Sequence, residues 1–275
     1  MKIFIKIFLI LFLVFFISQN LFAKNIRPNC SENKYKLCCT GKKALFKSFR
    51  CKNIICPSKS GGIPGLLGKP AIYLYPEQET NINIKLDNKI KLEIDIPKYV
   101  QLKGWNVKAY PNGKIVDLQP EYTNCDKLNS TQFGLEYAKS ACKNNDYPYV
   151  YWDGIQTAKP IPTKNQGWIV DKKDLPDFLA EKLEYVGFNK AEKEEFLRYW
   201  TKKLSNNDKY FIYFLQGKDV DDYLPMQVTP KPDSINRFYI LAKPVNSTKA
   251  DLQPQKLDKF KRKGFTLVEW GGSVL

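Results

Sequence analysis

The chain has 275 residues, a formal net charge of +16 and no histidine. The absence of histidine excludes Ser-His-Asp and Cys-His catalysis in their usual forms, and also histidine-ligated metals and histidine pH switches. Any catalysis would have to use carboxylate, tyrosine, lysine or thiol groups. The basic charge suits an anionic polymer or a lipid surface as partner, and it equally suits a lysine-rich composition that only keeps the surface soluble.

Residues 1–23 have the pattern of a secretory signal peptide. Lys2 and Lys6 give a basic start, an apolar run covers residues 7–17, and the small residue Ala23 precedes Lys24. The apolar run of about 11 residues is shorter than the roughly 20 that a membrane-spanning helix needs. An uncleaved membrane anchor is the alternative. We therefore predict a secreted or periplasmic protein without a stable membrane span after cleavage.

All seven cysteines follow the predicted signal peptide, at Cys30, Cys38, Cys39, Cys51, Cys56, Cys125 and Cys142. Export favours disulfides, and we expect Cys125 to pair with Cys142. The other five leave one thiol over, and their pairing cannot be deduced from the sequence. Irregular spacing and the lack of histidine disfavour zinc. The acidic run 218–222 lacks the features of a calcium loop and is interpreted as a solvated loop, so we predict no metal and no cofactor.

The predicted head, residues 24–68, is a cysteine-rich, basic module that ends in a linker rich in glycine, serine and proline. It is too short for a large core and is expected to depend on its disulfides. We place its boundary near Gly68, so that residues 69–275 form the main domain.

Period-two alternation of apolar and polar residues predicts short strands after this boundary. They cover residues 71–76, 81–86, 89–97 and 105–110, and a further strand returns after the turn Pro111-Asn112-Gly113. Asp87-Asn88 is interpreted as a hairpin turn between the second and third strands. These strands predict an antiparallel β-sandwich-like portion. The polar segment 119–146 is interpreted as a long loop held by Cys125 and Cys142.

The second half predicts an α+β portion. Strands at 147–152, turned by Asp153-Gly154, and at 167–170 precede two helices that form an αα-hairpin. The first helix covers 175–187 with Asp174 as its cap, and the second begins at Asn189, where Glu192 completes a capping box. Three strands at 210–217, 237–245 and 264–272 close the chain. The predicted fold class is therefore α+β, with the sandwich-like portion, the αα-hairpin portion and the small cysteine-rich head.

Several motifs occur in one order along the chain. They are KPAIYLYP (69–76), GWNVKAYPNGKI (104–115), YPYVYWDG (147–154), TPKPD (229–233) and GFTLVEWGG (264–272). Together they resemble an uncharacterised family of bacterial secreted proteins, with fungal relatives, that carries KPxIYLYP, GWxVxAxPxG, a tyrosine-rich YWxG and a closing VEWGG. The resemblance covers residues 69–275 and leaves out the head. It implies a shared domain and no particular activity.

Aromatic residues near YPYVYWDG and VEWGG are candidate ligand-binding residues. On a strand, one row of side chains points to one face and the alternate row to the other. An exposed row could stack on sugar rings, whereas the alternative is that both rows pack in the core. The candidates are Tyr147, Tyr149, Tyr151, Trp152 and Trp270.

Asp153 and Glu269 each lie beside a tryptophan and are the candidate catalytic pair. A glycosidase needs one carboxyl group kept protonated by apolar surroundings and a second as nucleophile or base, at a defined separation. The alternative is that Asp153 shapes a turn and Glu269 pairs with a lysine.

The sequence therefore predicts an exported extracellular or cell-envelope protein and favours a non-enzymatic binding role over catalysis. Its expected ligand is a glycan or an anionic envelope polymer, and no nucleic-acid partner is predicted. One alternative is a carboxylate-based glycan hydrolase. Another is a secreted protein-interaction or effector protein that makes contact through its head.

Overall fold

The computed structural model describes residues 66–162, 164–246 and 252–275. The predicted signal peptide and residues 24–65 of the predicted cysteine-rich head, with Cys30, Cys38, Cys39, Cys51 and Cys56, lie outside these residues. Residues 66–68, predicted as the end of the linker, belong to the strand Leu66–Tyr75, so the predicted boundary near Gly68 falls inside a strand. All described residues belong to the compact unit Pro57–Leu275. No helix within the described ranges is long and apolar enough to cross a bilayer.

The larger sheet has seven strands in the order β3-β6-β1-β11-β10-β8-β7. Its strands are β1 (Leu66–Tyr75), β3 (Ile90–Ile96), β6 (Val150–Gln156), β7 (Trp168–Asp171), β8 (Lys209–Gln216), β10 (Ser234–Pro244) and β11 (Thr266–Val274). Strands β10 and β11 are parallel, and the other neighbours are antiparallel. The parallel pair was not expected, and the long connection between the two strands permits it.

The smaller sheet has four strands in the order β5-β4-β2-β9. They are β2 (Thr80–Leu86), β4 (Trp105–Ala109), β5 (Ile115–Asp117) and β9 (Met226–Thr229). A backbone bridge between Ile115 and Tyr147 connects β5 to the segment that leads into β6. Both sheets combine strands from the two halves of the chain, so the predicted division into a sandwich-like portion and a separate α+β portion does not hold.

Two predicted turns are wrong. Strand β2 pairs with β4 and β9, whereas β3 pairs with β6, so Asp87-Asn88 joins two sheets rather than two strands of a hairpin. Gly154 lies within β6, where an added Cβ would be 2.7 Å from the carbonyl oxygen of Lys91 on β3. The glycine therefore permits the close approach of a neighbouring strand instead of a reversal of the chain.

Four α-helices occur in the described residues: α1 (Ala138–Asn144), α2 (Leu175–Tyr185), α3 (Lys190–Lys203) and α4 (Lys218–Tyr223). The predicted hairpin of α2 and α3 is confirmed, and so is the capping box, in which Asn189 and Glu192 each accept the other's backbone N–H at 2.9 Å. Asp174 occupies the N-cap of α2 but makes no side-chain capping bond. Neither α1 nor α4, which replaces the expected acidic loop, was predicted.

Helix α3 packs on the larger sheet through aromatic side chains. The ring of Phe196 lies 5.2 Å from that of Trp270 on β11 and 6.2 Å from that of Phe188, which in turn lies 5.7 Å from Phe238 on β10. Aromatic pairs at such distances contribute beyond the area that they bury. The helical hairpin is therefore fixed to the parallel strand pair, and this fixes the positions of the side chains on the outer surface of α3.

We expect Gly272→Ala to lower the free energy of unfolding by about 2–3 kcal/mol, because overpacking a tight core forces backbone shifts. An added Cβ at Gly272 would be 2.2 Å from the carbonyl oxygen of Ile240. Gly68 of β1 pairs with Gly272 of β11, and an added Cβ at Gly68 would be 3.6 Å from its nearest atom. Gly68→Ala is the control and should change stability by about 1 kcal/mol or less. Urea unfolding measures both, and equal losses would contradict the prediction.

Candidate functional site

A pocket of about 450 Å³ opens where β1, the segments before α1 and β6, and helix α3 meet. We call it the tyrosine pocket. Three of its residues are tyrosines, and charged side chains from two segments complete it. It is lined by Tyr73, Glu136, Tyr137, Pro148, Tyr149, Ala191, Glu195 and Arg198. A concave site with aromatic walls and a few fixed polar groups is the usual form of a small-molecule binding site.

Glu195 is the centre of the polar network in this pocket. Its carboxylate accepts hydrogen bonds from Lys69 Nζ, from Tyr149 Oη at 2.9 Å, and from Arg198 Nε and Nη2 at 2.8 Å each. Burial would raise the pKa of Glu195, but the bonds and charges of Arg198 and Lys69 outweigh it and hold the pKa below its ordinary value. The carboxylate therefore stays ionised and acts as an acceptor.

Lys69 lies behind Glu195 and its side chain is fully buried. Its Nζ also donates to the carbonyl oxygen of Gly134 at 3.1 Å, and it lies 5.1 Å from the ring centroid of Tyr199. Burial lowers the pKa of the ammonium, while Glu195 opposes that effect. A buried cation needs such partners, because an unpaired charge in the interior is very costly.

The backbone at Lys69 has the left-handed conformation, with φ of 52°. This is uncommon for a residue other than glycine. The register of β1 with β11 and with β6 shifts at this point, which marks a bulge in β1. The bulge frees the backbone N–H of Lys69 from the ladder, and it donates to Asp153 Oδ1 at 2.6 Å.

Glu136 forms the second charged wall of the tyrosine pocket. Its Oε2 accepts the N–H of Gly134 at 2.8 Å and lies 3.5 Å from Arg198 Nη1. Burial alone would raise the pKa of Glu136, but backbone N–H groups and the charges of Arg198 and Lys69 together hold it below its ordinary value. With Glu195, Arg198 and Lys69, the pocket region has two carboxylates and two cations, so its charges balance.

The disulfide between Cys125 and Cys142, predicted from the sequence, is confirmed, with Cα atoms 5.5 Å apart. It closes the segment that carries Gly134, Glu136 and Tyr137. Within this segment the ring of Phe133 stacks on Tyr199 of α3 at 5.6 Å. The covalent bond and the stacking together hold one wall of the tyrosine pocket, which has little regular secondary structure of its own.

The five aromatic candidates are buried. Tyr147, Tyr149, Tyr151, Trp152 and Trp270 are each 3% exposed or less, so they do not form an open aromatic row on a sheet face. This burial matches the alternative that both rows pack in the core. Tyr149 alone among them also lines the tyrosine pocket.

Asp153 and Glu269 lie on opposite faces of the larger sheet. Trp152 donates from Nε1 to Glu269 Oε1 at 3.2 Å, so these two side chains share one face. Asp153 is the next residue of β6, and successive side chains of a strand point to opposite faces. Because the sheet separates the two carboxyl groups, they cannot act on one glycosidic bond.

Glu269 takes part in a buried ion pair. Its Oε2 accepts from Arg237 Nε at 2.6 Å, and Arg237 Nη1 also donates to Asp221 Oδ1 at 2.9 Å and to the carbonyl oxygen of Leu224 at 2.7 Å. The side chains of Glu269 and Arg237 are 0% and 3% exposed. Glu269 therefore pairs with an arginine on the adjacent parallel strand. The sequence analysis offered a lysine as its partner.

We expect Glu269→Gln to lower the free energy of unfolding by about 3 kcal/mol, because it leaves the Arg237 charge buried without its main partner. Asp221→Asn is the matched control, since it removes a carboxylate that is 60% exposed from the same arginine. Its cost should be about 1 kcal/mol or less. Chemical denaturation measures both, and a mild loss for Glu269→Gln would contradict the role of the pair.

We expect the double change Cys125→Ser and Cys142→Ser to loosen the wall of the tyrosine pocket. The closed segment should then open locally more often, since the disulfide is what restricts its unfolded conformations. Hydrogen exchange should become faster by about tenfold or more in a peptide covering residues 128–137, and stay unchanged in β10. Unchanged exchange in that peptide would show that stacking of Phe133 alone holds the wall.

Most residues of the tyrosine pocket were not predicted. They come from four separate segments, and no motif or spacing connects them. Lys69 and Tyr73 belong to the KPAIYLYP motif, and Glu195 and Arg198 are three residues apart on α3, a spacing that permits an ion pair on one helix face. Pro148 and Tyr149 belong to the YPYVYWDG motif, and Tyr149 was itself a candidate ligand-binding residue.

Comparison with known proteins gives few matches. No protein-family model matches the chain. No solved structure matches it. It is similar to a protein of Butyrivibrio fibrisolvens described as "Uncharacterized protein in bglA 3'region", with 41% identity over 73 residues, which are 26% of this chain and 76% of the relative. That description assigns no activity.

Proposed function

We propose that this chain, which belongs to the family of the uncharacterised Butyrivibrio fibrisolvens protein, is an exported, non-enzymatic glycan-binding protein. Its proposed ligand site is the tyrosine pocket. The observation that carries the proposal is a concavity of about 450 Å³ with three tyrosines and ionised Glu136, Glu195 and Arg198 in its lining. Sugars present both apolar C–H faces and hydroxyl groups. A site with aromatic walls and fixed donors and acceptors complements both features.

The polar groups of this site remain accessible. The side chains of Arg198 and Glu136 are 43% and 48% exposed, although both belong to the network around Glu195. A guanidinium donor and a carboxylate acceptor held 3.5 Å apart suit two neighbouring hydroxyl groups of one sugar ring. Their fixed geometry reduces the ordering cost of binding.

The balance of charge favours a neutral glycan over an anionic polymer at this pocket. Two cations, Lys69 and Arg198, face the two carboxylates Glu136 and Glu195. The negative charge of an acidic ligand would come close to both carboxylates, and no unpaired cation in the pocket would neutralise it. Burying an uncompensated negative charge is costly.

The hydrolase alternative finds less support. Asp153 and Glu269 lie on opposite faces of the sheet, and the lowered pKa values of Glu136 and Glu195 leave the tyrosine pocket without a protonated carboxyl group as general acid. The effector alternative placed its contact surface on the cysteine-rich head, which lies outside the described residues.

Export is supported by the predicted signal peptide and by the Cys125–Cys142 disulfide, which is typical of oxidising compartments.

We expect the mature chain to bind a neutral oligosaccharide on a glycan array, and the best array ligand to bind in calorimetry without being cleaved. Arg198→Gln and Glu136→Gln should each weaken that binding by about tenfold or more, because each removes a charged hydrogen-bonding group from the pocket. Lys190→Gln is the matched control, since this exposed residue is on the same helix α3 and, among the described residues, forms an ion pair with Glu194 alone.

Two results would contradict the proposal. One is that no neutral glycan binds, and the other is that the two pocket variants bind as tightly as the control. Release of new reducing ends during incubation would instead favour the hydrolase.

A further inference from the structure

A second surface, separate from the tyrosine pocket, carries an excess of positive charge. We call residues 256–263, KLDKFKRK, the basic strap; it belongs to the connection between β10 and β11. Its only acidic residue is Asp258. Its five cations are all exposed: Lys256, Lys259, Lys261, Arg262 and Lys263.

The basic strap has no regular secondary structure, yet side chains hold its backbone in place. Just before it, Gln255 Oε1 accepts the N–H of Phe214 at 2.9 Å. Gln216 accepts the N–H of Asp258 at 3.1 Å and donates to its carbonyl oxygen at 3.3 Å. At the far end, Ser234 Oγ accepts the N–H of Lys263 at 3.1 Å. The strap is therefore ordered before any ligand arrives, which lowers the cost of binding.

The residues between the lysines contact the protein, so the lysines are left on the outer side. Leu257 is buried and Phe260 is half-buried. Arg262 forms an ion pair with Glu192 at the start of α3. Among the described residues no carboxylate pairs with the four strap lysines, whereas many other lysines of the protein have a partner. Their positive charge is therefore not compensated locally.

We propose that the basic strap binds an acidic polysaccharide. Unpaired cations along a fixed extended surface complement a polymer that carries a carboxylate on each repeating sugar. Beside them, the ring of Tyr185 is 47% exposed and lies 4.9 Å from Lys259 Nζ. This pair offers an aromatic face for a sugar ring next to a cation for its carboxylate. The site does not depend on the tyrosine pocket, whose charges balance.

The test measures binding of the mature chain to polygalacturonate at about 50 mM salt, where surface charges are weakly screened. The triple change Lys259→Gln, Lys261→Gln and Lys263→Gln should weaken binding by about tenfold or more. The matched control is Lys89→Gln, Lys172→Gln and Lys173→Gln, which removes the same charge from exposed lysines elsewhere. The control should bind within about twofold of the wild type, since only local charge matters within a Debye length.

Several outcomes would overturn the inference. Equal weakening by the two triple variants would mean that net charge alone attracts the polymer, and lack of binding by the wild type would remove the site. Tighter strap-dependent binding of duplex DNA or of anionic lipid vesicles would assign the surface to another class of partner. Unchanged thermal unfolding of both variants ensures that the comparison reports binding. None of these results depends on whether the pocket variants lose neutral-glycan binding, so the strap proposal and the pocket proposal can fail separately.

Discussion

The buried ammonium of Lys69 is the constraint on which the tyrosine pocket depends. A charge with no exposure to water is tolerated only when partners surround it, and here these partners come from separate parts of the chain. Glu195 comes from α3, Gly134 from the disulfide-closed wall, and the lysine itself from the bulge in β1. The requirement to satisfy one cation therefore brings sheet, helix and wall to the same place. Tyr149 joins them by donating to the same carboxylate.

Local patterns predicted many elements but not their partners. Alternation located β2 and β3, and helical periodicity with Asn189 and Glu192 located α3, since these signals arise within a few residues. The pairing of β3 with β6, and the parallel pair β10–β11, depend on contacts between residues far apart in the chain. The two-residue alternation of apolar and polar side chains looks the same whichever strand lies beside it, so it does not identify the pairing partner. The hairpin expected at Asp87-Asn88 was wrong for this reason.

The candidate site shows the same limit. The aromatic run around Tyr149 and Trp152 was conspicuous because it is dense, and density of aromatic residues is also what a core between a sheet and helices requires. Asp153 and Glu269 were chosen for their tryptophan neighbours, but only the alternation of β6 and the contact of Trp152 reveal that they occupy opposite faces. The network of Lys69, Glu195 and Arg198 has no compact sequence signature, since its geometry comes from the fold.

Arg262 gives the two proposed binding surfaces a physical connection. It belongs to the basic strap, pairs with Glu192 in the first turn of α3, and lies 5.2 Å from the ring centroid of Tyr75, which stacks on Tyr73 of the tyrosine pocket at 6.4 Å. A long polysaccharide with acidic and neutral stretches that rests on the strap would hold its next units at high effective concentration near the pocket. Two weak contacts on one polymer would then act as one tight attachment, and short fragments would lose it.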